Sequence, residues 1–178
     1  MRNRITGRLI AVVGPSGSGK DTLLKEIKKH LTAYFPARYI TRQPHPNDEN
    51  YHSVTKQEFK NLIYNDMLAF HWSAHGLRYG IPVDIKVALS TNQIVIFNCS
   101  RSHLKPIIKD YTNLEIINIV ASKDILRQRL LGRGRETLNE IDKRLLREHV
   151  NLPGTPKTVD NSSTVEDGIR NLLEAINS

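Results

Sequence analysis

Residues 14–21 have the types and the spacing of a phosphate-binding loop. The segment reads Gly-Pro-Ser-Gly-Ser-Gly-Lys-Asp, and it lies between an apolar run and a helical pattern of leucines. Glycines let successive backbone N–H groups point into one anion-sized nest, and a helix N-terminus adds the positive end of its dipole. A lysine at the place of Lys20 reaches the β- and γ-phosphates of a nucleoside triphosphate. The residues expected to bind the triphosphate are Gly14, Pro15, Ser16, Gly17, Ser18, Gly19, Lys20, Asp21 and Thr22.

Asp21 departs from the common form of this loop, in which Ser or Thr follows the lysine and holds a magnesium ion. Our hypothesis is that Asp21 binds Mg²⁺ directly or through a water molecule. The alternative is a glycine-rich turn between a strand and a helix that binds no ligand. The correctly spaced Lys20 and the flanking strand and helix patterns argue against that alternative.

A second group of residues that could do chemistry lies near residue 130. The run Leu126-Arg-Gln-Arg-Leu-Leu-Gly-Arg-Gly-Arg135 contains four arginines and two glycines. Arg129 and Arg133 share one face if the helix continues, and the glycines loosen the backbone into a flap. Arginines on a flap can close over a transferring phosphoryl group and neutralise its oxygens. The run therefore predicts a lid at about residues 129–140; the alternative is a solvated basic helix end.

The overall charge agrees with an anionic ligand. The 178 residues include 26 Lys and Arg against 18 Asp and Glu, a formal net charge of +8. The basic residues are scattered, and no aromatic-rich RNA-binding pattern interleaves with them, so nucleic acid is disfavoured as a partner. One cysteine and the absence of a membrane-spanning apolar stretch favour a cytoplasmic protein without a membrane partner. Nothing in the sequence indicates an oligomeric state.

The elements that must position these residues alternate along the chain. Buried-strand patterns at 9–13, 93–97 and 114–120 are each followed by a helical pattern, which predicts an α/β fold. We expect the P-loop NTPase three-layer fold with a mostly parallel central sheet, in one domain spanning 1–178. Short strands and one helix interrupt the alternation in an insertion that we expect to bind the acceptor. The expected parts are a core at 1–37 and 82–178, the insertion at about 38–81 and the lid.

Side chains that cap backbone N–H groups mark the expected helix starts. Thr55-Lys-Gln-Glu58 and Thr137-Leu-Asn-Glu140 are capping boxes, in which each Thr and Glu satisfies the other's backbone N–H. The first helix is predicted at about 19–30, and the helix after Thr137 is predicted to extend to about Val150. Further helix starts are expected at Ser102, Ser122 and Thr164.

Several of these segments together resemble the guanylate-kinase-like branch of the nucleoside monophosphate kinases. The lid run followed by Lys143-Arg-Leu145 has that family's arginine spacing, and Ile40–Pro44 and Gly76–Gly80 resemble its two acceptor-phosphate motifs. The resemblance implies a phosphotransferase that uses ATP and Mg²⁺. The catalytic residues that it implies are Lys20, Arg129, Arg133 and Arg144. The acceptor-binding residues that it implies are Arg42, Tyr51, Arg78 and Tyr79.

The chain departs from that family where the family reads guanine. A guanine site needs a carboxylate to accept the N–H donors of the base, and family members carry a glutamate in a Gly-Glu-Phe-x-Glu stretch. The corresponding run is Asp66-Met-Leu-Ala-Phe70, which places Phe70 at the reading position. His45 replaces a second arginine of the first acceptor motif, and Asn98 and Ser100 replace two aspartates. We therefore expect an acceptor that is phosphorylated and lacks guanine.

Further segments resemble a narrower family of sugar-phosphate kinases associated with bacterial phosphonate breakdown. They are the P-loop with its aspartate, Arg38–Arg42, His71–Ile81 and Asn98–Leu104. That family transfers the γ-phosphate of ATP to the 1-phosphate of ribose 1,5-bisphosphate, which gives 5-phosphoribosyl 1-diphosphate, and the resemblance implies the same reaction here. Two alternatives stay open: a divergent guanylate kinase that converts GMP to GDP, and a catalytically inactive interaction module.

A phosphate acceptor agrees with the residues available. A phosphate monoester has its second pKa near ~6, so its oxygen is already anionic at neutral pH and no general base is needed. The obstacle is repulsion between two polyanions, which Arg, Lys and Mg²⁺ overcome by positioning and charge. His71 and His75 flank Trp72, and each is expected either to contact the acceptor or to be structural.

Overall fold

The computed structural model describes residues 6–43, 51–74, 76–132, 134, 137–146 and 151–178, with the backbone alone at 144 and 146. The described strands are β1 (Arg8–Val13), β2 (Arg38–Ile40), β3 (Tyr51–Ser53), β4 (Leu68–Ala74), β5 (Leu77–Pro82), β6 (Ile94–Asn98), β7 (Glu115–Val120) and β8 (Lys157–Asp160). The described helices are α1 (Lys20–Ile27), α2 (Lys56–Tyr64), α3 (Ile85–Ser90), α4 (Leu104–Asp110), α5 (Lys123–Gly132), α6 (Leu138–Leu146) and α7 (Val165–Asn177). A 3-10 turn, Arg101–His103, precedes α4.

The chain divides into two compact units. One comprises the residues up to Leu9 together with Ala33–Phe97, and the other comprises Ile10–Thr32 together with Asn98–Ser178. None of the described helices combines the length and the apolar character needed to cross a bilayer.

The strand that leads into the P-loop lies inside a four-stranded sheet. The strand order is β6-β1-β7-β8. β1 runs parallel to β7, with Ile10 opposite Glu115, and β7 runs parallel to β8, with Ile117 opposite Lys157. Because parallel strands end at the same edge of a sheet, the residues that follow these strands gather beside the P-loop. The predicted α/β fold class with a mostly parallel central sheet is confirmed.

Buried apolar residues fix both flanks of the P-loop. Leu9 to Val13 are at most 3% exposed along β1. On the far side of the loop, α1 buries Leu23, Leu24 and Ile27, and α1 packs against α7. Burying one such aliphatic side chain stabilises the fold by about 1.5–3 kcal/mol. The loop is therefore held between two rigid elements.

The other unit contains a second, mostly antiparallel sheet. Its strand order is β3-β2-β5-β4, in which β2 and β3 are parallel and the other two pairs are antiparallel. Phe59 of α2 is fully buried and lies close to Gly80 of β5. A Cβ on Gly80 would lie 2.7 Å from Leu68 Cδ1 and 3.3 Å from the Phe59 ring, which leaves no room for a larger residue. Small size at Gly80 therefore lets α2 and β4 approach β5.

The capping residues predicted from sequence are largely in place. Thr55 and Glu58 form a capping box, with Thr55 N–H to Glu58 Oε2 at 2.6 Å and Glu58 N–H to Thr55 Oγ1 at 3.1 Å. Thr137 and Glu140 exchange the same two bonds at 2.8 and 3.4 Å. Further caps are made by Ser122 Oγ, which accepts from Ile125 N–H at 3.4 Å, and by Thr164 Oγ1, which accepts from Asp167 N–H at 3.1 Å.

Two local predictions were wrong, and one strand was missed. α1 ends at Ile27 rather than near residue 30. Ser102 does not cap a helix: it lies within the 3-10 turn, where its hydroxyl contacts Ser100 Oγ at 3.0 Å and His103 Nδ1 at 3.1 Å. The strand Tyr51–Ser53 was not predicted at all. The helix expected to run to Val150 is described as far as Leu146, and 147–150 lie outside the described residues.

Candidate active site

The backbone of the P-loop needs glycine at the position where it leaves β1. Gly14 has φ +149°, and a Cβ there would lie 2.2 Å from the carbonyl oxygen of Ile119 in β7. At the far end of the loop, Gly19 has φ +88°, and a Cβ there would lie 2.4 Å from Asn161 Nδ2. Both positive φ values are costly for residues with a side chain. The glycine spacing seen in the sequence therefore reflects steric limits on both sides of the loop.

Lys20 closes over the loop that precedes it. Its ammonium donates to the carbonyl oxygens of Gly14 at 2.8 Å and Pro15 at 2.7 Å, and it lies 3.3 Å from Ser18 Oγ. A lysine ammonium has three donors and a flexible stem. Phosphate oxygens can replace these neutral acceptors with charge-assisted hydrogen bonds, which are about twice as strong. The structure thus places the Lys20 ammonium over the P-loop, and its role in binding phosphate stays a prediction.

Asn161 is a residue of this site that the sequence analysis missed. It directly follows β8 and is 4% exposed, and its Nδ2 donates to the carbonyl oxygen of Ser18 at 2.7 Å. Its own N–H donates to Val120 O at 2.8 Å. On the other side, a Cβ at Gly168 of α7 would lie 2.3 Å from Asn161 Oδ1. A single buried amide therefore ties the middle of the P-loop to the sheet.

Arg129 of α5 lies against the P-loop. Its Nη2 donates to Asn161 O at 3.0 Å, and its Nη1 lies 3.5 Å from Gly17 O. Nearby, Arg127 pairs with Asp142 at 2.9 Å and joins α5 to α6. Of the other predicted lid arginines, Arg133 lies outside the described residues, and Arg144 is described by its backbone alone, within α6. One lid arginine is thus placed beside the phosphate loop, and two remain predictions.

Asp21 has a partner from another strand. Asn98 Nδ2 donates to Asp21 Oδ1 at 2.8 Å, which joins the last residue of β6 to the first turn of α1. A carboxylate and an amide are both oxygen ligands of the kind that Mg²⁺ accepts, and Mg²⁺ at such sites usually takes its remaining ligands from phosphates and water. The residues present therefore fit a magnesium ion bound with the nucleotide.

The predicted acceptor-binding residues lie on the second sheet. Arg42 stacks over the Tyr51 ring, 4.7 Å from its centroid, and its Nε lies 3.3 Å from the Tyr51 hydroxyl. Thr41 connects this pair to β5, because its Oγ1 accepts from the N–H of Arg78 at 2.9 Å. Tyr79 stacks on Trp72 at 5.4 Å and 10° between ring planes. The structure thus gathers Arg42 and Tyr51 in direct contact, with Arg78 and Tyr79 on the paired strand.

Phe70 is the residue that the sequence comparison of motifs places at the guanine-reading position, and its role there stays a prediction. Its ring is 5.0 Å from that of Phe97, which is 2% exposed. At the next position of β4, the exposed His71 ring lies nearly perpendicular to the Phe59 ring, with 6.3 Å between the ring centroids. His45 and His75 lie outside the described residues.

Comparison with known proteins agrees with the site. A family model described as guanylate kinase matches residues 6–178. The chain belongs to the guanylate kinase family. The resemblance to this family that the sequence motifs indicated is therefore confirmed.

Members with similar sequences carry a narrower name. The chain is 38% identical over 173 residues to "Ribose 1,5-bisphosphate phosphokinase PhnN" of Rhizobium etli, covering 94% of this chain and 88% of that one. It is 38% identical to the protein of the same name from Agrobacterium fabrum, covering 94% of this chain and 95% of that one. A crystal structure of guanylate kinase from Anaplasma phagocytophilum superposes with a TM-score of 0.69 at 15% identity, over 98% of this chain and 86% of that chain. The last likeness concerns the fold alone.

Proposed function

We propose that the chain is an ATP-dependent kinase that phosphorylates the 1-phosphate of ribose 1,5-bisphosphate, with 5-phospho-α-D-ribose 1-diphosphate and ADP as products. The observation that carries the proposal is the pairing of a P-loop, with Lys20 held over it, with relatives of that name over more than nine-tenths of the chain. We also propose that the protein acts in the cytoplasm and takes part in phosphonate breakdown, as the resemblance of its sequence motifs implies.

The donor half of the reaction is assigned to the P-loop and the lid. Loop N–H groups and Lys20 would hold the β- and γ-phosphates. Three arginines would neutralise the oxygens of the transferred group: Arg129, Arg133 and Arg144. Arg129 and Arg133 belong to the predicted lid at about residues 129–140, and Arg144 follows it in the chain. Asp21 would hold Mg²⁺, which supplies charge neutralisation for the β- and γ-phosphates when bound.

The acceptor half is assigned to the insertion at about 38–81. The Arg42 guanidinium and the Tyr51 hydroxyl, 3.3 Å apart, can bind one phosphate group together. Arg78 and Tyr79 on the adjacent strand would bind the same end of the acceptor. The acceptor oxygen needs no base because a phosphate monoester is mostly ionised at neutral pH.

The environment of Phe70 supports a sugar acceptor over a guanine base. A guanine edge presents N–H donors that need acceptors, and leaving them unpaired costs about 1–3 kcal/mol each. Phe70 offers only ring carbons, and it packs on Phe97 at 5.0 Å between centroids. The proposal therefore favours ribose 1,5-bisphosphate over GMP.

A panel of acceptors tests the proposal. The purified protein is incubated with Mg²⁺ and ATP plus ribose 1,5-bisphosphate, GMP, AMP or ribose, and ADP formation is followed by a coupled assay. We expect turnover with ribose 1,5-bisphosphate, with a new diphosphate doublet in the ³¹P spectrum, and loss of that turnover in Lys20→Ala. GMP as the best acceptor would assign the chain to the guanylate kinases proper. Binding of ATP with no turnover on any acceptor would assign it to the interaction modules.

A further inference from the structure

We propose that Asn98 is a positioning residue that orients the Asp21 carboxylate toward the metal ion bound with the nucleotide. P-loop enzymes usually have a neutral residue after the loop lysine and an aspartate on a neighbouring strand at their Mg²⁺ site. In this chain the two residue types would be exchanged, with the carboxylate at Asp21 and the neutral residue at Asn98. This inference rests on the proposed function, since it assigns a residue to the metal of the same nucleotide site.

The contact that carries the inference joins distant parts of the chain. Asn98 Nδ2 lies 2.8 Å from Asp21 Oδ1, across 77 residues of sequence. Both residues belong to the same compact unit. Asn98 ends β6, and the next residue, Cys99, donates its N–H to Val12 O in β1 at 3.1 Å. The strand that carries Asn98 is thus tied to the strand that leads into the P-loop, so the amide is placed by backbone pairing.

The exchange follows from what the two places usually hold. In P-loop NTPases, Mg²⁺ is held by a Ser or Thr after the loop lysine and by an aspartate on a neighbouring strand. Here the carboxylate follows the lysine as Asp21, and the neutral residue stands at the end of β6 as Asn98. The pair therefore keeps one carboxylate, which here lies in the first turn of α1, and one neutral side chain, which here ends β6. Two carboxylates at 2.8 Å would repel each other, and two neutral groups would lack the charge that favours a divalent cation.

The direction of the hydrogen bond gives Asn98 its role. An ionised carboxylate only accepts hydrogen bonds, so the amide must present its N–H to Asp21 and turn its own oxygen away. That bond fixes the rotation of the carboxylate and leaves its orientation set before the metal arrives. Groups that hydrogen-bond to a metal ligand in this manner typically change metal affinity by 10- to 100-fold when they are removed.

Metal binding without turnover tests the inference. Binding of Mn²⁺ in the presence of ADP is measured by the electron paramagnetic resonance signal of free Mn²⁺ for the wild type, Asn98→Ala and Asn171→Ala. Asn171→Ala is a matched control, because Asn171, like Asn98, donates its side-chain amide in an exposed hydrogen bond. Its acceptor is the backbone oxygen of Asp160, at 3.2 Å. We expect Asn98→Ala to weaken Mn²⁺ binding roughly 10- to 100-fold, with ADP binding in EDTA unchanged and the control like the wild type. Unchanged Mn²⁺ affinity in Asn98→Ala would overturn the inference, and a lower melting temperature in the same variant would make Asn98 a structural link between β6 and α1.

A double substitution tests the exchange itself. Asp21→Ser alone is expected to weaken Mn²⁺ binding, and Asp21→Ser with Asn98→Asp is expected to recover most of it, because the usual arrangement is restored. A double variant no better than Asp21→Ser would show that the two places do not share one metal. These measurements use no acceptor, so they stand even if the acceptor panel contradicts the proposed reaction.

Discussion

Asn161 donates its side-chain amide to the carbonyl oxygen of Ser18 across 2.7 Å, and both residues are buried. The same residue accepts, at its backbone oxygen, the guanidinium of Arg129 at 3.0 Å. The shape of the P-loop and the place of one lid arginine therefore depend on a single residue at the end of β8. A substitution at Asn161 should therefore affect both the P-loop and Arg129.

Replacing Asn161 by alanine should weaken both stability and nucleotide binding. The substitution leaves the buried Ser18 carbonyl without its donor, which costs about 1–3 kcal/mol. It also frees the loop to leave the shape in which its N–H groups converge. We expect a lower urea midpoint with an unchanged slope, and a larger dissociation constant for ATP by calorimetry.

Asn171→Ala serves as its control. Asn171 donates to Asp160 O at 3.2 Å, but this bond is exposed, and exposed substitutions of this kind usually change stability by less than about 0.5 kcal/mol. If the two variants lost the same stability, or if Asn161→Ala bound ATP like the wild type, Asn161 would not be supporting the loop.

Gly14→Ala should abolish nucleotide binding. The backbone at Gly14 has φ +149°, and the added Cβ would lie 2.2 Å from the Ile119 carbonyl oxygen. The positive φ and the close contact both involve backbone atoms, so no side chain can move to relieve them. We therefore expect Gly14→Ala to lower the free energy of unfolding by more than about 1 kcal/mol.

The matched variant is Gly132→Ala, at the end of α5. Among the described residues beyond its own helix turn, no atom lies within 4 Å of a Cβ placed there, and alanine is favoured over glycine in a helix by up to about 1 kcal/mol. Thermal melting should show Gly132→Ala unchanged or more stable, and Gly14→Ala less stable. Tight ATP binding by Gly14→Ala would contradict the P-loop geometry.

The parts of the site that the sequence predicts are those with local signals. The loop from Gly14 to Lys20 is recognisable because glycine spacing, lysine and the following helix are contiguous in the chain. The capping boxes at Thr55 and Thr137 are equally local, since partners three residues apart satisfy one another. Such features need no knowledge of the rest of the fold.

The missed parts depend on contacts between distant residues. Asn161 after a short strand looks like an ordinary turn residue. Only the pairing of β8 with β7, which itself pairs with β1, reveals the bond of Asn161 to Ser18, 143 residues away. Asn98 was noticed as a departure from a family pattern, but not as the partner of Asp21. β3 has just three residues and no apolar run, and its parallel pairing with β2 has no signal in the local sequence.

The Tyr34 hydroxyl should ionise late and link stability to alkaline pH. Burial, and then a hydrogen bond to Asp84 at 2.5 Å, raise the pKa of Tyr34 to about 12. Because this pKa is raised above the ordinary value of about 10, the stabilisation is full below about pH 10 and is lost as the pH rises toward 12. Tyr34→Phe should therefore be less stable at neutral pH, by about 1 kcal/mol, with a smaller loss of stability above pH 10.

Absorbance at 295 nm measures this ionisation directly. The difference between the titrations of wild type and Tyr34→Phe should be a single step centred near pH 12. A step near pH 10 would show that neither the burial of the Tyr34 hydroxyl nor its bond to Asp84 persists in solution.

The capping box at the start of α2 should make the stability of the fold depend on pH in the acid range. The backbone N–H and then the hydroxyl of Thr55 hold the pKa of Glu58 below its usual value. A lowered carboxyl pKa stabilises the fold above the ordinary pKa of glutamate, about 4.3, and that stabilisation is lost as the pH falls through the lower value. Glu58→Gln should therefore melt below the wild type at pH 7, and the gap in melting temperature should shrink toward pH 3.

Thr55→Ser keeps the hydroxyl and should preserve the pH dependence, whereas Thr55→Val removes it and should reduce the gap. A gap that stays constant from pH 7 to pH 3 would mean that the Glu58 carboxylate contributes through its shape and not through its charge.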